Sequence, residues 1–122
     1  MRQLRCLFLF SLLTLIAVST VALAQDKQLT LTLGPGPENP RNSEGDFVEL
    51  KDGRILFIYT HYDGESTSDH ASAYLAGRFS SDQGKTWTEE DQLILEHEGD
   101  MNIMSVSLLR LSDSSIALFY LR

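Results

Sequence analysis

The sequence predicts an all-β chain folded as a β-propeller from repeated four-stranded blades. Three observations predict it. One stretch of the chain repeats at an offset of 61 residues. The segments between turn signals are short, apolar and rich in β-branched and aromatic residues. Ser80 to Trp87 has the composition of a tight, internally hydrogen-bonded turn between two strands.

The repeat sets the architecture. Asn42 to His61 reads NSEGDFVELKDGRILFIYTH, and Ile103 to Leu121 reads IMSVSLLRLSDSSIALFYL. At the 61-residue offset Leu50 meets Leu111, Asp52 meets Asp113, Ile55 meets Ile116 and Tyr59 meets Tyr120. The apolar pairs Phe47/Leu108, Val48/Leu109, Phe57/Leu118 and Ile58/Phe119 fall in step. Both stretches have the form strand, polar turn, strand.

Residues 1–24 read as a secretory signal peptide. Arg2 and Arg5 precede the apolar run Leu7–Val18, and Ala22-Leu23-Ala24 supplies the small residues of a cleavage site. The run is short for a membrane anchor, which needs about 20 apolar residues. Localisation is therefore expected to be secreted or periplasmic, with cleavage after Ala24. Cleavage leaves 98 residues with 8 Lys and Arg against 17 Asp and Glu, a net charge of −9. A field of that sign repels nucleic acid and anionic membrane surfaces, so neither is expected as a partner. The single cysteine, Cys6, lies in the signal, so no disulfide is expected.

Residues 25–40 are expected to form an N-terminal strand and linker. Gln28–Leu33 alternates, and Gly34-Pro35-Gly36-Pro37 breaks regular structure. Phe47–Leu50 and Ile55–Thr60 then read as a hairpin about Lys51-Asp52-Gly53-Arg54, since Asp-Gly suits a tight turn. Ala71–Phe79 reads as a third strand. Thr86 to about Leu95, with a break near Glu89-Glu90, reads as a fourth. The pattern restarts near Val106. Residues 41–122 thus supply about one and a half blades of the roughly 4–8 that close a propeller, and the functional protein is expected to be longer.

Ser80-Ser81-Asp82-Gln83-Gly84-Lys85-Thr86-Trp87 has the form S-x-D-x-G-x-T-W. It resembles the Asp-box of sialidases and related secreted propellers, with every defining position present. Ser80, Asp82 and Thr86 can bond the turn, Gly84 can take positive φ, and Trp87 places a large ring between sheets. Residues 41–122 resemble the first blade and the start of the second blade of bacterial exo-α-sialidases, members of the BNR-repeat group. The resemblance implies a six-bladed β-propeller and a retaining exo-sialidase that removes terminal sialic acid. It also implies a tyrosine nucleophile and glutamate partner beyond residue 122, with these residues alone inactive. The Asp-box is structural in that family.

By the same resemblance, Arg41 stands where an arginine of a carboxylate-gripping triad precedes the first inner strand. Here Arg-Asn-Ser replaces the family's Arg, apolar residue, Pro. Asp69, 11 residues before Ser80, stands where the family's general acid/base lies, with Asp63 as the poorer match. Glu44 and His70 are expected to touch the ligand. The loop His61–His70 lacks the arginine the family often carries there, which points to a changed substrate. Read without the resemblance, Arg41 is a surface arginine in a Pro/Gly-rich loop and Asp69 a turn aspartate. Tyr59, Tyr74 and Tyr120 read as packing residues. Three scattered histidines give no metal-ligand spacing, so no metal and no cofactor are expected. The expected partner is a sialylated glycan or a related acidic sugar. The alternative is a non-catalytic secreted Asp-box propeller that binds glycan or protein.

Overall fold

The computed structural model describes residues 28–122, all of whose regular structure is β. The signal-peptide reading of residues 1–24 lies outside the described residues. Six strands follow in order: β1 Asn42–Glu49, β2 Ile55–Tyr62, β3 Ala73–Ser80, β4 Gln92–Leu95, β5 Met104–Arg110 and β6 Ile116–Leu121. They form a four-stranded antiparallel sheet in sequential order, β1-β2-β3-β4, and a two-stranded sheet β5-β6.

The repeat is visible in the turns as well as the strands. Between β1 and β2, Leu50 N–H donates to Arg54 O at 2.7 Å and Gly53 N–H to Leu50 O at 3.0 Å. Between β5 and β6, Leu111 N–H donates to Ser115 O and Ser114 N–H to Leu111 O, both at 2.9 Å. Asp52 and Asp113 cap the two turns by accepting the N–H two residues on. The Arg54 N–H at Asp52, and the Ser115 hydroxyl followed by its N–H at Asp113, hold both carboxyls below the usual carboxylate range. Gly53 and Ser114 fill the left-handed position, with φ 83° and 68°. Glycine takes that backbone freely and serine under strain.

Cross-strand partners share a face, which sorts the first sheet into two surfaces. One carries Leu56, Ile58 and Leu75. Leu108, Leu118 and Tyr120 of the second sheet pack on it, closing a core with buried Ile103 and Val106. The other carries a run of rings. Phe47 stacks on Phe57 at 4.3 Å and Phe57 on Tyr59 at 5.3 Å, while His61 stacks on Tyr74 at 4.5 Å. Asp46 ties the sheets together, its carboxylate accepting the Leu108 N–H at 2.8 Å. Arg110 reaches back to the carbonyl of Glu49.

Gln28–Leu33 pairs with no strand among the described residues. The segment is held instead by an Asn42 side-chain bond to Leu33 O and a Trp87 indole bond to Thr30 Oγ1. The fourth strand is interrupted at Glu89-Glu90, as expected, and its regular part is Gln92–Leu95. Thr88 N–H still donates to Phe79 O at 2.9 Å, but Glu89 and Glu90 bend away and pairing resumes at Gln92, opposite Gly77.

β1 bulges at Glu44, since Ser43 pairs with Thr60 and Gly45 with Tyr59. A Cβ on Gly45 would sit 2.6 Å from the Ile58 carbonyl oxygen and 2.5 Å from the Phe57 ring. The backbone contact cannot yield without opening the β1–β2 ladder. Gly45→Ala is expected to destabilise by about 1–3 kcal/mol, the usual cost of overpacking. Denaturant unfolding checks it, and an unchanged midpoint would show that the bulge relaxes freely.

Candidate functional site

The start of β1 and the loop after β2 meet at one end of the first sheet, with Tyr62 N–H donating to Arg41 O at 3.2 Å. The loop closes on itself through Asp63 N–H to Ser72 O at 3.1 Å and Ala71 N–H to Ser68 O at 3.0 Å. The Ser66 and Ser68 hydroxyls accept the N–H groups of Ser68 and His70. This serine-rich turn chemistry presents Asp69 outward, its side chain 67% exposed.

Arg41 meets that loop in three ways. Its Nη2 lies 2.8 Å from Asp69 Oδ1, its Nη1 donates to Thr67 O at 3.0 Å, and its guanidinium lies over the Tyr62 ring at 4.2 Å. Tyr62 is fully buried, so the stacking surface is fixed. The geometry pairs Arg41 with Asp69 rather than with Asp63. Asp63 instead lines a separate cleft with Glu38, His61, Glu65 and Tyr74.

Sequence reasoning missed Asn102, which positions the Asp69 loop. Asn102 is 5% exposed, and its amide donates to Asp69 O at 2.6 Å and Ala71 O at 2.8 Å. It comes from the segment just before β5, so the second sheet holds the loop of the first. An asparagine among apolar residues gives no local signal of a partner about 30 residues away.

His70 is exposed, and its Nδ1 lies 2.8 Å from Met101 Sδ. With Asp69, Asn102, Met104 and Arg122 these residues line a cleft of about 540 Å³. Glu44 is exposed at the bulge and has no hydrogen bond or ion pair among the described residues, so the structure does not join it to the Arg41–Asp69 contact. The His61 ring, which lines the Asp63 cleft, stacks on Tyr74 with Nδ1 3.1 Å from Asp91 Oδ2.

That aspartate centres a polar cluster invisible in the sequence. Asp91 Oδ1 accepts from the Tyr59 hydroxyl at 2.6 Å and from Arg78 Nε at 2.5 Å. Burial and the Asp91 carboxylate push the Tyr59 phenol well above its usual range. Burial, then Asp91 and Asp63, raise Tyr74 as well. Both phenols stay protonated and act here as donors and packing groups. No group of three or more His, Cys, Asp or Glu side chains placed to hold a metal occurs among the described residues.

The Ser80–Trp87 turn lies at the far end of β3, about 25 Å from the Arg41–Asp69 end by the rise of an eight-residue strand. Every defining residue takes part in the turn. The Ser80 hydroxyl, 1% exposed with its residue, donates to Asp82 Oδ1 at 2.9 Å and accepts from Gly84 N–H at 2.8 Å. Asp82 accepts from Thr86 N–H at 2.8 Å and from the Thr86 hydroxyl at 2.7 Å. Gly84 has φ 83°, and the Trp87 indole donates to its carbonyl at 3.2 Å. Trp87 lies tilted against Phe47 at 5.8 Å and edge-on to Phe57 at 6.4 Å. It is half-buried on the aromatic face rather than enclosed between the two sheets.

These bonds predict an acid response. The Thr86 hydroxyl and N–H, with Ser80, hold Asp82 at about 2, below its ordinary 3.8. A carboxyl depressed on folding adds stability above its unfolded value, lost as pH falls through its folded value. The wild type is thus expected to lose stability between about pH 4 and 2, and Asp82→Asn to lose the Asp82 part of that slope. Urea midpoints across this range check it. A slope unchanged by Asp82→Asn would show that the bonds do not persist in solution.

No protein-family model matches the chain, and no curated protein matches it.

Proposed function

We propose that residues 41–122 form one blade and two strands of the next in a six-bladed sialidase-type propeller, and that the protein is a secreted or periplasmic exo-sialidase. Supporting this reading are the 61-residue repeat, the complete Ser80–Trp87 turn and the sheet-on-sheet packing of β1–β4 against β5–β6. The observation that carries the function is the Arg41–Asp69 pair at 2.8 Å, presented to solvent at the end opposite that turn.

In this reading Arg41 takes the sugar carboxylate with its planar fork, exchanging one carboxylate for another. Asp69 protonates the departing glycosidic oxygen, and its carboxylate then accepts a proton from the attacking water. The chemistry departs from the two-carboxylate scheme because a tyrosine serves as nucleophile. His70 and Glu44 lie at the same end and are proposed to contact the sugar. No cofactor takes part.

The test is incubation of the protein carrying this chain with an α-linked sialyl-lactose, following free sialic acid and its initial anomer by NMR. Release with retained configuration supports the reading. A sialoside bound without cleavage assigns the protein to the non-catalytic propellers instead. Neither binding nor cleavage of any acidic glycoside overturns both.

A further inference from the structure

The loop after β2 and the segment before β5 bring soft donors together. His70 Nδ1 lies 2.8 Å from Met101 Sδ. Met104 lines the same cleft, and its sulfur accepts weakly, at 3.9 Å, from the hydroxyl of the fully buried Tyr62.

The contact is clamped by Asn102. The two carbonyls that its amide bonds, Asp69 O at 2.6 Å and Ala71 O at 2.8 Å, belong to the residues on either side of His70. Asn102 itself follows Met101 directly in the chain and is 5% exposed. One buried side chain thus ties the backbone of the imidazole to the backbone of the thioether, across 31 residues of sequence. Donors held in this way need little further ordering when a ligand arrives.

The donor set selects the ion. Thioether and neutral imidazole suit Cu(I), whereas hard cations collect several oxygens. Asp69, Asp100 and Arg122 also line the cleft, but Asp69 is engaged by Arg41 at 2.8 Å and Arg122 opposes Asp100 in charge. Among the described residues no three His, Cys, Asp or Glu side chains converge for a harder ion. Two donors of one tetrahedral ion, at zinc-like bond lengths of about 2.0 and 2.3 Å, stand about 3.5 Å apart. Met101 can draw back that far, since its side chain has three rotatable bonds and the residue is 49% exposed.

We propose that His70, Met101 and Met104 form a binding site for Cu(I), held by uncharged nitrogen and sulfur. The test is anaerobic titration of the protein carrying this chain with Cu(I) against a chromophoric Cu(I) chelator. No sugar is present, so the outcome is separate from that of the sialidase reading. The unaltered protein is expected to withdraw Cu(I) from the chelator. His70→Ala, Met101→Leu and Met104→Leu are each expected to weaken that uptake by at least about tenfold, the lower end of what even an outer-shell loss costs a metal site. Circular dichroism checks that each variant keeps its sheets. Ag(I), a redox-inert ion of similar softness, reads the ligands without any substitution. Added to protein labelled at its methionine methyls, it is expected to shift the Met101 and Met104 signals. No uptake by the unaltered protein overturns the proposal. Uptake unchanged in any of the three folded variants, methyl signals that stay in place, or displacement of Cu(I) by an equal concentration of Zn²⁺ overturns it equally.

Discussion

If the protein is the exo-sialidase proposed, Asp69→Ala is expected to slow hydrolysis of a natural sialoside by about 10²–10⁴-fold, the usual yield of acid–base catalysis. The same variant is expected to slow bond cleavage in a nitrophenyl or methylumbelliferyl sialoside far less. A sugar alcohol leaves poorly and needs a proton, whereas an activated phenol leaves without one. The contrast isolates proton donation from positioning, because both substrates share the sugar and its carboxylate. Folding is not at issue. The Asp69 side chain is 67% exposed, and an exposed ion pair contributes about 0–1 kcal/mol. Arg41 also keeps its bond to Thr67 O and its place over Tyr62 when Asp69 is gone. Asp63→Ala is the control, since Asp63 lies in a different cleft. Leaving-group dependence in Asp63→Ala, with equal slowing of both substrates in Asp69→Ala, would move the acid to Asp63.

What could be read from the sequence was local. The hairpin β1–β2 was legible because Asp52-Gly53 names its own turn. Strand β6 was legible from its apolar run, and the Ser80–Trp87 turn from residues that bond one another within seven positions. The all-β class follows from these alone. What could not be read was long-range. Asn102 reaching Asp69 and Ala71, Asp46 reaching Leu108, and Asp91 gathering Tyr59, Arg78 and His61 each join residues far apart in the chain. A periodic pattern reports which face a residue occupies and carries nothing about its polar partner. Gln28–Leu33 shows the same boundary from the other side. Its alternation is that of a strand, yet pairing is a property of two segments, and among the described residues no strand edge runs beside it.

On the same proposed reading, Arg41→Ala is expected to raise KM for every sialoside by about 10–150-fold, with a smaller change in kcat. The size follows from losing a charge-assisted bond worth about 1.5–3 kcal/mol. The direction follows from the substrate. Its carboxylate is present before, during and after bond cleavage, so a group that grips it binds ground and transition states alike and acts on KM. The leaving group should not matter, which is the opposite of the expectation for Asp69. The structure adds a constraint on rescue. The guanidinium holds three partners at once, namely the Asp69 carboxylate, the Thr67 carbonyl and the Tyr62 ring. Lysine can reach one oxygen as a point charge but cannot keep a flat face on Tyr62 while presenting two parallel donors. Arg41→Lys is therefore expected to recover only part of the lost affinity, and equally on natural and aryl substrates. Steady-state kinetics of both variants on the two substrate types decide it. Unchanged KM with a fall in kcat would make Arg41 a group that positions the Asp69 loop, and full rescue by lysine would show that charge alone suffices.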